Sequence, residues 1–276
     1  MYTKIRKLGK GAFGETFLVE KNGTEFVMKE LSMNRVDLTE YNLELNALQK
    51  ISKHHGVCDS TMICLVDHFI DYDNQKFILI TNYLQNSTTL SALLKDKYIF
   101  TLKDIKFVMY YLLEQLHFLH DYNIVHGDIK PENIIIQQGE NFTGIQNVMF
   151  IDFGISCIKR CKPGGTMTYL APELLPEIGK KIFINKNEYK KTDIWSLGLV
   201  FYQIANGKLP FEDELKNSSN SMAIMLKLVD FYQTTSVIPS DYDNDVVSKT
   251  IKMMLEISPR HRPSIHRVFS KFKQLS

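Results

Sequence analysis

The sequence has little that would direct it to a membrane or to nucleic acid. No uninterrupted apolar run approaches the ~20 residues that a membrane-spanning helix needs. Residues 1–6 also lack the apolar core of a signal peptide. The 33 basic and 31 acidic residues leave a formal net charge of +2, which gives no global field to attract nucleic acid. We therefore expect neither a membrane partner nor a nucleic-acid partner.

Cysteine is scarce as well. The chain has four cysteines, at positions 58, 64, 157 and 161, and their spacing matches no common zinc or redox pattern. Reduced thiols in a cytosolic protein are the expected state. The 276 residues, 44% of them apolar, are enough to bury one large core or two modest ones.

The first eighty or so residues favour strands, with one helix among them. Two short β-rich runs, residues 16–19 and 26–28, flank a turn at residues 21–24, which predicts a hairpin. From Asp37 the apolar residues recur at three- and four-residue steps, and Glu40 completes a capping box, so a helix is predicted there. Residues 77–80 then indicate a buried strand.

Helices dominate after a polar stretch at residues 85–89, which is the best domain boundary. Thr101 and Asp104 can cap a long helix through Leu119. A second helix is predicted from Thr192 or Asp193 to the Asn-Gly pair at 206–207. The pattern predicts an α+β chain. A β-rich lobe at residues 1–82 is joined, through a hinge at about 82–86, to a helical lobe at residues 83–276.

A glycine-rich segment at residues 9–14 lies between two strand-like runs, just before residues 16–19. Gly9, Gly11 and Gly14 can bring backbone N–H groups close to phosphate oxygens, because glycine has no Cβ in the way. A dinucleotide-binding loop would open a helix, but here another strand follows, so that alternative fails.

A lysine at the end of the next strand suits phosphate binding. The ammonium of Lys29 can hold phosphates when a glutamate from a nearby helix steadies it. Glu44 is the favoured partner because apolar positions follow it, and Glu40, one turn earlier, is the alternative.

The segment His-Gly-Asp-Ile-Lys-Pro-Glu-Asn at 126–133 carries the strongest chemical signal. Phosphoryl transfer to a hydroxyl needs a proton acceptor, a cation near the moving phosphate and oxygen ligands for a metal. Asp128, Lys130 and Asn133 supply these from one loop. Asp152 follows an apolar strand and opens Asp-Phe-Gly, which places a second hard oxygen ligand at a strand end.

This ordered set of motifs resembles the signature of eukaryotic-type serine/threonine protein kinases and covers nearly the whole chain. Ala-Pro-Glu at 171–173 and Asp-Ile-Trp-Ser-Leu-Gly at 193–198 are similar to further landmarks of that family. The resemblance implies a two-lobed fold and transfer of the ATP γ-phosphate to protein Ser or Thr. Mg²⁺ is the implied metal, with Mn²⁺ as an alternative.

The resemblance also assigns residues. Asp128 and Lys130 would be catalytic, Asn133 and Asp152 would bind metal, and Arg262 would pair with Glu173. Thr81 falls at the gatekeeper position. Leu48, Leu65, Phe153 and His126 would stack as a hydrophobic column. The implied ATP site consists of Leu8, Gly9, Lys10, Gly11, Ala12, Phe13, Gly14, Thr16, Val27, Lys29, Glu44, Thr81, Asn82, Leu84 and Ile135.

Gly127 departs from the family pattern, in which an arginine usually occupies this position and pairs with a phosphorylated activation segment. We therefore expect a kinase that needs no such phosphate. Val27 is bulkier than the usual alanine in the roof of the nucleotide pocket, and Thr16 stands where valine is usual.

Two alternatives stay open, a pseudokinase-like scaffold and a small-molecule phosphotransferase of the aminoglycoside or choline type. The implied protein is a cytoplasmic monomer that acts on protein substrates. If the source is a virus, it would be found in the host cytoplasm or nucleus.

Overall fold

The computed structural model describes residues 1–11, 13–139, 144–158, 160–218, 220–235, 238 and 242–276. The first part of the chain forms a five-stranded antiparallel sheet with the strand order β1-β2-β3-β5-β4. Its strands are β1 (Thr3–Lys10), β2 (Gly14–Lys21), β3 (Thr24–Ser32), β4 (Leu65–Asp71) and β5 (Lys76–Asn82).

One helix, α1 (Leu38–His55), is inserted between β3 and β4. Asp37 accepts a hydrogen bond from the backbone N–H of Glu40, whose carboxylate accepts one from the backbone N–H of Asp37. This capping box is the one predicted, and it satisfies N–H groups that the helix itself cannot use. Gly56 ends the helix in the left-handed conformation that glycine adopts without a steric penalty.

The rest of the chain is mainly helical. Its helices are α2 (Leu90–Lys95), α3 (Leu102–Asp121), α4 (Lys186–Asn206), α5 (Glu212–Leu215), α6 (Ser221–Thr234), α7 (Asp245–Met254) and α8 (Ile265–Leu275). Thr101 and Asp104 cap α3 as predicted. These elements confirm the α+β, two-lobed architecture. None of the helices in the described part of the chain has the length and apolar character that a bilayer crossing requires.

Helix α4 begins earlier than the sequence indicates. The prediction placed its start at Thr192 or Asp193, but the side chain of Asn185 caps a helix that begins at Lys186. The added turns carry mostly charged and polar residues with no apolar stripe, so periodicity could not reveal them. Tyr189, in this added part, is 1% exposed, so one buried side chain docks these turns.

The second part of the chain also contains two small sheets. The strands β6 (Ser87–Thr89), β7 (Ile134–Gln138) and β8 (Ile145–Phe150) form one sheet, and β9 (Arg160–Cys161) pairs with β10 (Ile184–Asn185). Gln115 of α3 donates to the carbonyl oxygen of Val148 and accepts from the N–H of Phe150. These bonds fix β8 to the long buried helix, and β8 leads directly to Asp152.

The four cysteines are paired in two disulfides, Cys58 with Cys64 and Cys157 with Cys161. The expectation of reduced thiols is wrong for this structure. The Cα atoms of each pair are 5.4 Å apart, within the range that a disulfide spans. Local turns bring the partners together over six and four residues, and such short spacings match no pattern that sequence analysis could use.

A buried ion pair ties the Ala-Pro-Glu segment to the end of the chain. The guanidinium of fully buried Arg262 donates to both carboxylate oxygens of Glu173, at 2.7 and 3.0 Å, which confirms the predicted pair. It also lies 4.9 Å from the ring of Trp195 and donates to the carbonyl oxygens of Lys191, Glu256 and Ile257. All five N–H groups of this buried cation therefore have an acceptor.

Substitution Glu173→Ala removes the only carboxylate paired with Arg262 among the described residues. We expect the free energy of unfolding to fall by about 3 kcal/mol, because a buried charge then lacks its counter-ion. Urea unfolding followed by circular dichroism measures this change. Asp213→Ala, which breaks exposed ion pairs with Lys208 and Lys216, is the matched control and should have little effect. Equal losses in both variants would contradict the account.

Candidate active site

A cleft of about 670 Å³ separates the five-stranded sheet from the β7–β8 segment. It collects residues far apart in sequence from the glycine-rich segment, β3, α1, β5 and the loops around β7 and β8. The predicted catalytic, nucleotide and metal residues that line it are Leu8, Gly9, Lys10, Gly11, Thr16, Val27, Lys29, Glu44, Thr81, Asn82, Leu84, Lys130, Asn133, Ile135 and Asp152.

Two predicted residues of the glycine-rich segment that the structure describes, Phe13 and Gly14, do not line the cleft. Phe13 is half exposed, and Ala12 lies outside the described residues. Gly14 is positioned by its neighbour strand, since an added Cβ would lie 1.8 Å from the carbonyl oxygen of Glu30. No side chain fits at that position without moving β3 away from β2.

Lys29 forms the centre of the charge network. Its ammonium donates to both oxygens of the Glu44 carboxylate, at 2.6 and 2.9 Å, and to Asp152 at 2.8 Å. The structure therefore pairs Lys29 with Glu44, whereas Glu40 is used in the capping box of α1. Helix α1, strand β3 and the end of β8 are joined through one cation.

The charges of this network are strongly coupled. Burial opposes ionisation of Lys29, but the carboxylates of Glu44 and Asp152 outweigh it and raise the pKa of the ammonium. Burial likewise favours the neutral form of Asp152, yet the adjacent Lys29 ammonium lowers the pKa of that carboxyl to about 2. Both groups stay charged at neutral pH, as binding of phosphate and of a divalent metal requires.

Strand pairing sets the apolar walls at the other end of the cleft. Val27 of β3 lies opposite Thr81 of β5, and Ile135 of β7 lies opposite Met149 of β8. Met149 also lines the cleft and was missed by sequence analysis, although its register with Ile135 could have identified it. An adenine ring would lie between these two pairs.

The loop at 126–133 brings its three polar side chains together. One oxygen of Asp128 accepts from the backbone N–H and the hydroxyl of Thr166, at 2.8 and 2.9 Å. The other accepts from the ammonium of Lys130 at 2.6 Å and from the amide of Asn133 at 3.2 Å. Asp128 is thus held in one orientation where a substrate hydroxyl could deliver its proton.

The donor set fits a magnesium ion. Asn133 uses its amide nitrogen to donate to Asp128, which leaves its amide oxygen for a metal. Asp152 offers a carboxylate whose first oxygen is occupied by Lys29 and the N–H of Gly154. Hard oxygen ligands of this kind suit Mg²⁺, which would neutralise phosphate charge at this position.

The family model for the protein kinase domain matches residues 2–272 of the chain. The chain belongs to this family. It is 30% identical over 267 residues to an Aurora kinase of Eremothecium gossypii, with 95% of this chain and 65% of the relative covered. It is 32% identical to an Aurora kinase of Yarrowia lipolytica over 213 residues, covering 75% of this chain and 53% of the relative.

A third relative is the probable serine/threonine-protein kinase nek3 of Dictyostelium discoideum. It is 29% identical over 284 residues, which cover 97% of this chain and 23% of the relative. The kinase spans about half to two thirds of the Aurora relatives it matches. The predicted eukaryotic-type serine/threonine kinase domain is confirmed. Its family uses ATP and Mg²⁺ and acts on protein substrates.

Buried Asp193, in the motif Asp-Ile-Trp-Ser-Leu-Gly, binds the backbone of the catalytic loop of the kinase. Its carboxylate accepts from the backbone N–H groups of His126 and Gly127, both at 2.9 Å, and contacts the Nε2 atom of His120 at 2.9 Å. Sequence analysis marked Asp193 as a landmark but did not find this role. An Asp directly before an apolar helix segment marked the position, but its partners lie more than sixty residues earlier in the chain.

His126 has a structural role. Its Nδ1 atom accepts from the N–H of Asp128 at 3.3 Å, so its Nε2 atom donates to the carbonyl oxygen of Ile151 at 3.1 Å. The ring is fully buried and lies 4.8 Å from that of Phe153. Because both ring nitrogens are hydrogen-bonded, the imidazole packs in the core and orients the loop. This agrees with its predicted place in the hydrophobic column.

The backbone conformation and the surroundings of Gly127 both favour glycine at this position. Its φ of +84° lies in the left-handed region, and an added Cβ would be 3.1 Å from the carbonyl oxygen of Ile155. The ring of Tyr189 occupies the adjacent space, 3.6 Å from that Cβ position. The Tyr189 hydroxyl shares its proton between the carbonyl oxygens of Lys162 and Gly164, at 3.1 and 3.4 Å.

Substitution Glu44→Gln should lower kcat/KM roughly 10- to 100-fold, because it removes a charged hydrogen-bond acceptor of Lys29. Steady-state kinetics with varied ATP measures the effect. Glu40→Gln is the matched control. It affects only the cap of α1 and should leave kcat/KM within about twofold. The assignment fails if Glu40→Gln is the more damaging change.

Proposed function

We propose that this chain is an ATP- and Mg²⁺-dependent kinase for Ser or Thr residues of proteins, and that it works without activation-segment phosphorylation. The supporting observation is the convergence of Asp128, Lys130 and Thr166 in one hydrogen-bonded cluster. Asp128 would orient the substrate hydroxyl and take its proton, while Lys130 would neutralise charge on the transferred group. Asn133 and Asp152 would bind the metal, which shields the phosphates.

Different residues of the cleft would then bind different parts of the nucleotide. The N–H groups of the glycine-rich segment and Lys29 would hold the phosphates. Val27, Thr81, Leu84 and Ile135 would enclose the base, next to the backbone of Asn82. We propose the division into lobes 1–82 and 83–276 on the same grounds.

Independence from phosphorylation is supported by the surroundings of the Ser and Thr residues in the activation segment. Its Ser and Thr residues are Ser156, Thr166 and Thr168. Ser156 is 1% exposed, and the hydroxyl of Thr166 is bound to Asp128 and Lys130. Only Thr168 is then left as an acceptor, and Gly127 offers no cation for its phosphate.

Tyr189 supplies the contact that an arginine–phosphate pair would otherwise make. Its hydroxyl reaches two carbonyl oxygens of the segment, and its ring packs beside Gly127. Burial raises the pKa of the Tyr189 phenol, so the group stays a neutral donor. The Tyr189 side chain is uncharged and always present. In this proposal it takes the place of the phosphate that a kinase would otherwise have to add to the segment.

The compartment and oligomeric state stay predictions. A cytoplasmic monomer is the proposal from the sequence.

The deciding experiment measures transfer of radiolabelled γ-phosphate to casein or myelin basic protein by phosphatase-treated kinase. Intact mass must first show that no phosphate remains. The treated kinase and its Thr168→Ala variant should keep the untreated rate within about twofold. Asp128→Ala should abolish transfer.

Each other outcome has a distinct meaning. Loss of activity after phosphatase treatment would overturn the proposed independence from phosphorylation. Absence of transfer in untreated kinase, with a nucleotide-dependent rise in melting temperature, would instead favour a scaffold. Transfer retained in Asp128→Ala would overturn the catalytic assignment.

Substitution Tyr189→Phe should lower kcat/KM for a protein substrate about 5- to 10-fold, which corresponds to one lost neutral hydrogen bond. The KM for ATP should not change, because Tyr189 does not line the cleft. Tyr72→Phe, at an exposed tyrosine, is the matched control. Equal kinetics in both variants would show that the Tyr189 hydroxyl does not position the segment.

A further inference from the structure

Two histidines and an aspartate converge on the surface of the helical lobe, outside the nucleotide cleft. His117 and Asp121 lie one turn apart on α3, and His266 is near the start of α8. Among the described residues they form a group of three His and Asp side chains that could hold a metal ion, and one potential ligand atom from each lies within 4.8 Å of the others.

The three side chains already contact one another. The Nε2 atom of His266 lies 2.8 Å from Asp121, and the Nδ1 atom of His117 lies 3.5 Å from the same carboxylate. The two imidazoles approach to 2.8 Å between Nε2 of His117 and Nδ1 of His266. Nitrogen ligands of a tetrahedral zinc ion are separated by about 3.3 Å. Each imidazole faces Asp121 with one nitrogen and the other imidazole with its second nitrogen, so ring rotation would turn one nitrogen of each toward a shared metal.

The helices that carry these residues are firmly packed together. The ring of His117 lies 5.8 Å from that of Phe269 on α8, and Phe269 in turn packs edge-on against Tyr110 of α3. Both helices bury apolar stripes in the main core. The ligands therefore project from rigid elements, and such ligands lose little entropy when they bind a metal.

We propose that His117, Asp121 and His266 form a binding site for a zinc ion that joins α3 to α8. Two imidazoles and one carboxylate are a ligand set that suits zinc, and water would complete the tetrahedron. The site is independent of the phosphoryl-transfer chemistry and lies beyond the proposed function.

The surroundings set the expected character of the site. Lys190 and Lys191 are nearby, but their ammonium groups donate to the carbonyl oxygens of His120 and Arg262. The side chain of His266 is 63% exposed and that of Asp121 is 39% exposed, so solvent reaches the ligands. Zinc should therefore bind reversibly and exchange with added metal.

Isothermal titration of the full chain with zinc chloride tests the proposal. Excess Mg²⁺ and ATP should be present to occupy the oxygen ligands of the catalytic cleft. We expect one tight site, whose affinity falls by more than about 100-fold in His117→Ala and in His266→Ala. His261→Ala, at an exposed histidine outside the cluster, should stay within about threefold of the unchanged chain.

Cobalt spectra and thermal unfolding give independent readouts. Cobalt(II) should show the intense visible absorption of a tetrahedral site in the unchanged chain and lose it in both cluster variants. Zinc should raise the melting temperature of the unchanged chain and of His261→Ala, but not that of His266→Ala. The proposal is overturned if no tight zinc site appears, or if all three histidine variants bind zinc alike.

Discussion

The catalytic loop depends on one buried carboxylate. Asp193 is 1% exposed and accepts from the N–H groups of His126 and Gly127 while it contacts His120. A buried charge is costly unless hydrogen bonds compensate it, so this arrangement is stable only when all donors are in place. Because the two N–H groups immediately precede Asp128, the carboxylate also fixes the backbone position of this proposed catalytic residue. The position of Asp128 therefore depends on a buried carboxylate of helix α4.

The same logic explains how the chain tolerates glycine at position 127. The left-handed backbone there suits glycine, and the N–H group still reaches Asp193. Tyr189, which lies one turn before Asp193 on α4, fills the space beside it and bonds the activation segment. One helix therefore holds both the loop and the segment through fixed, buried contacts. These contacts support the proposal that the loop and the segment of this kinase are ordered without a phosphate.

Sequence analysis correctly predicted the features that follow a local structural rule or belong to a family motif. The capping box at Asp37, the partner of Lys29 and the pairing of Arg262 with Glu173 all appear as expected. It failed where tertiary contacts decide. The first turns of α4 are polar and are docked by one tyrosine, so no period marks them. The disulfides depend on local turns, and the bonds of Tyr189 and Asp193 cross long distances in sequence. No pattern within a single segment contains that information.

The most direct test of this account is the turnover number of Asp193→Asn. An amide of the same shape loses the charge and directs N–H groups toward the backbone donors of the loop. The account predicts a fall in kcat of roughly 100-fold, with ATP affinity unchanged, because the cleft walls and Lys29 are untouched. ATP binding measured by calorimetry shows that the variant is folded. A folded variant with the unchanged chain's kcat would contradict the account.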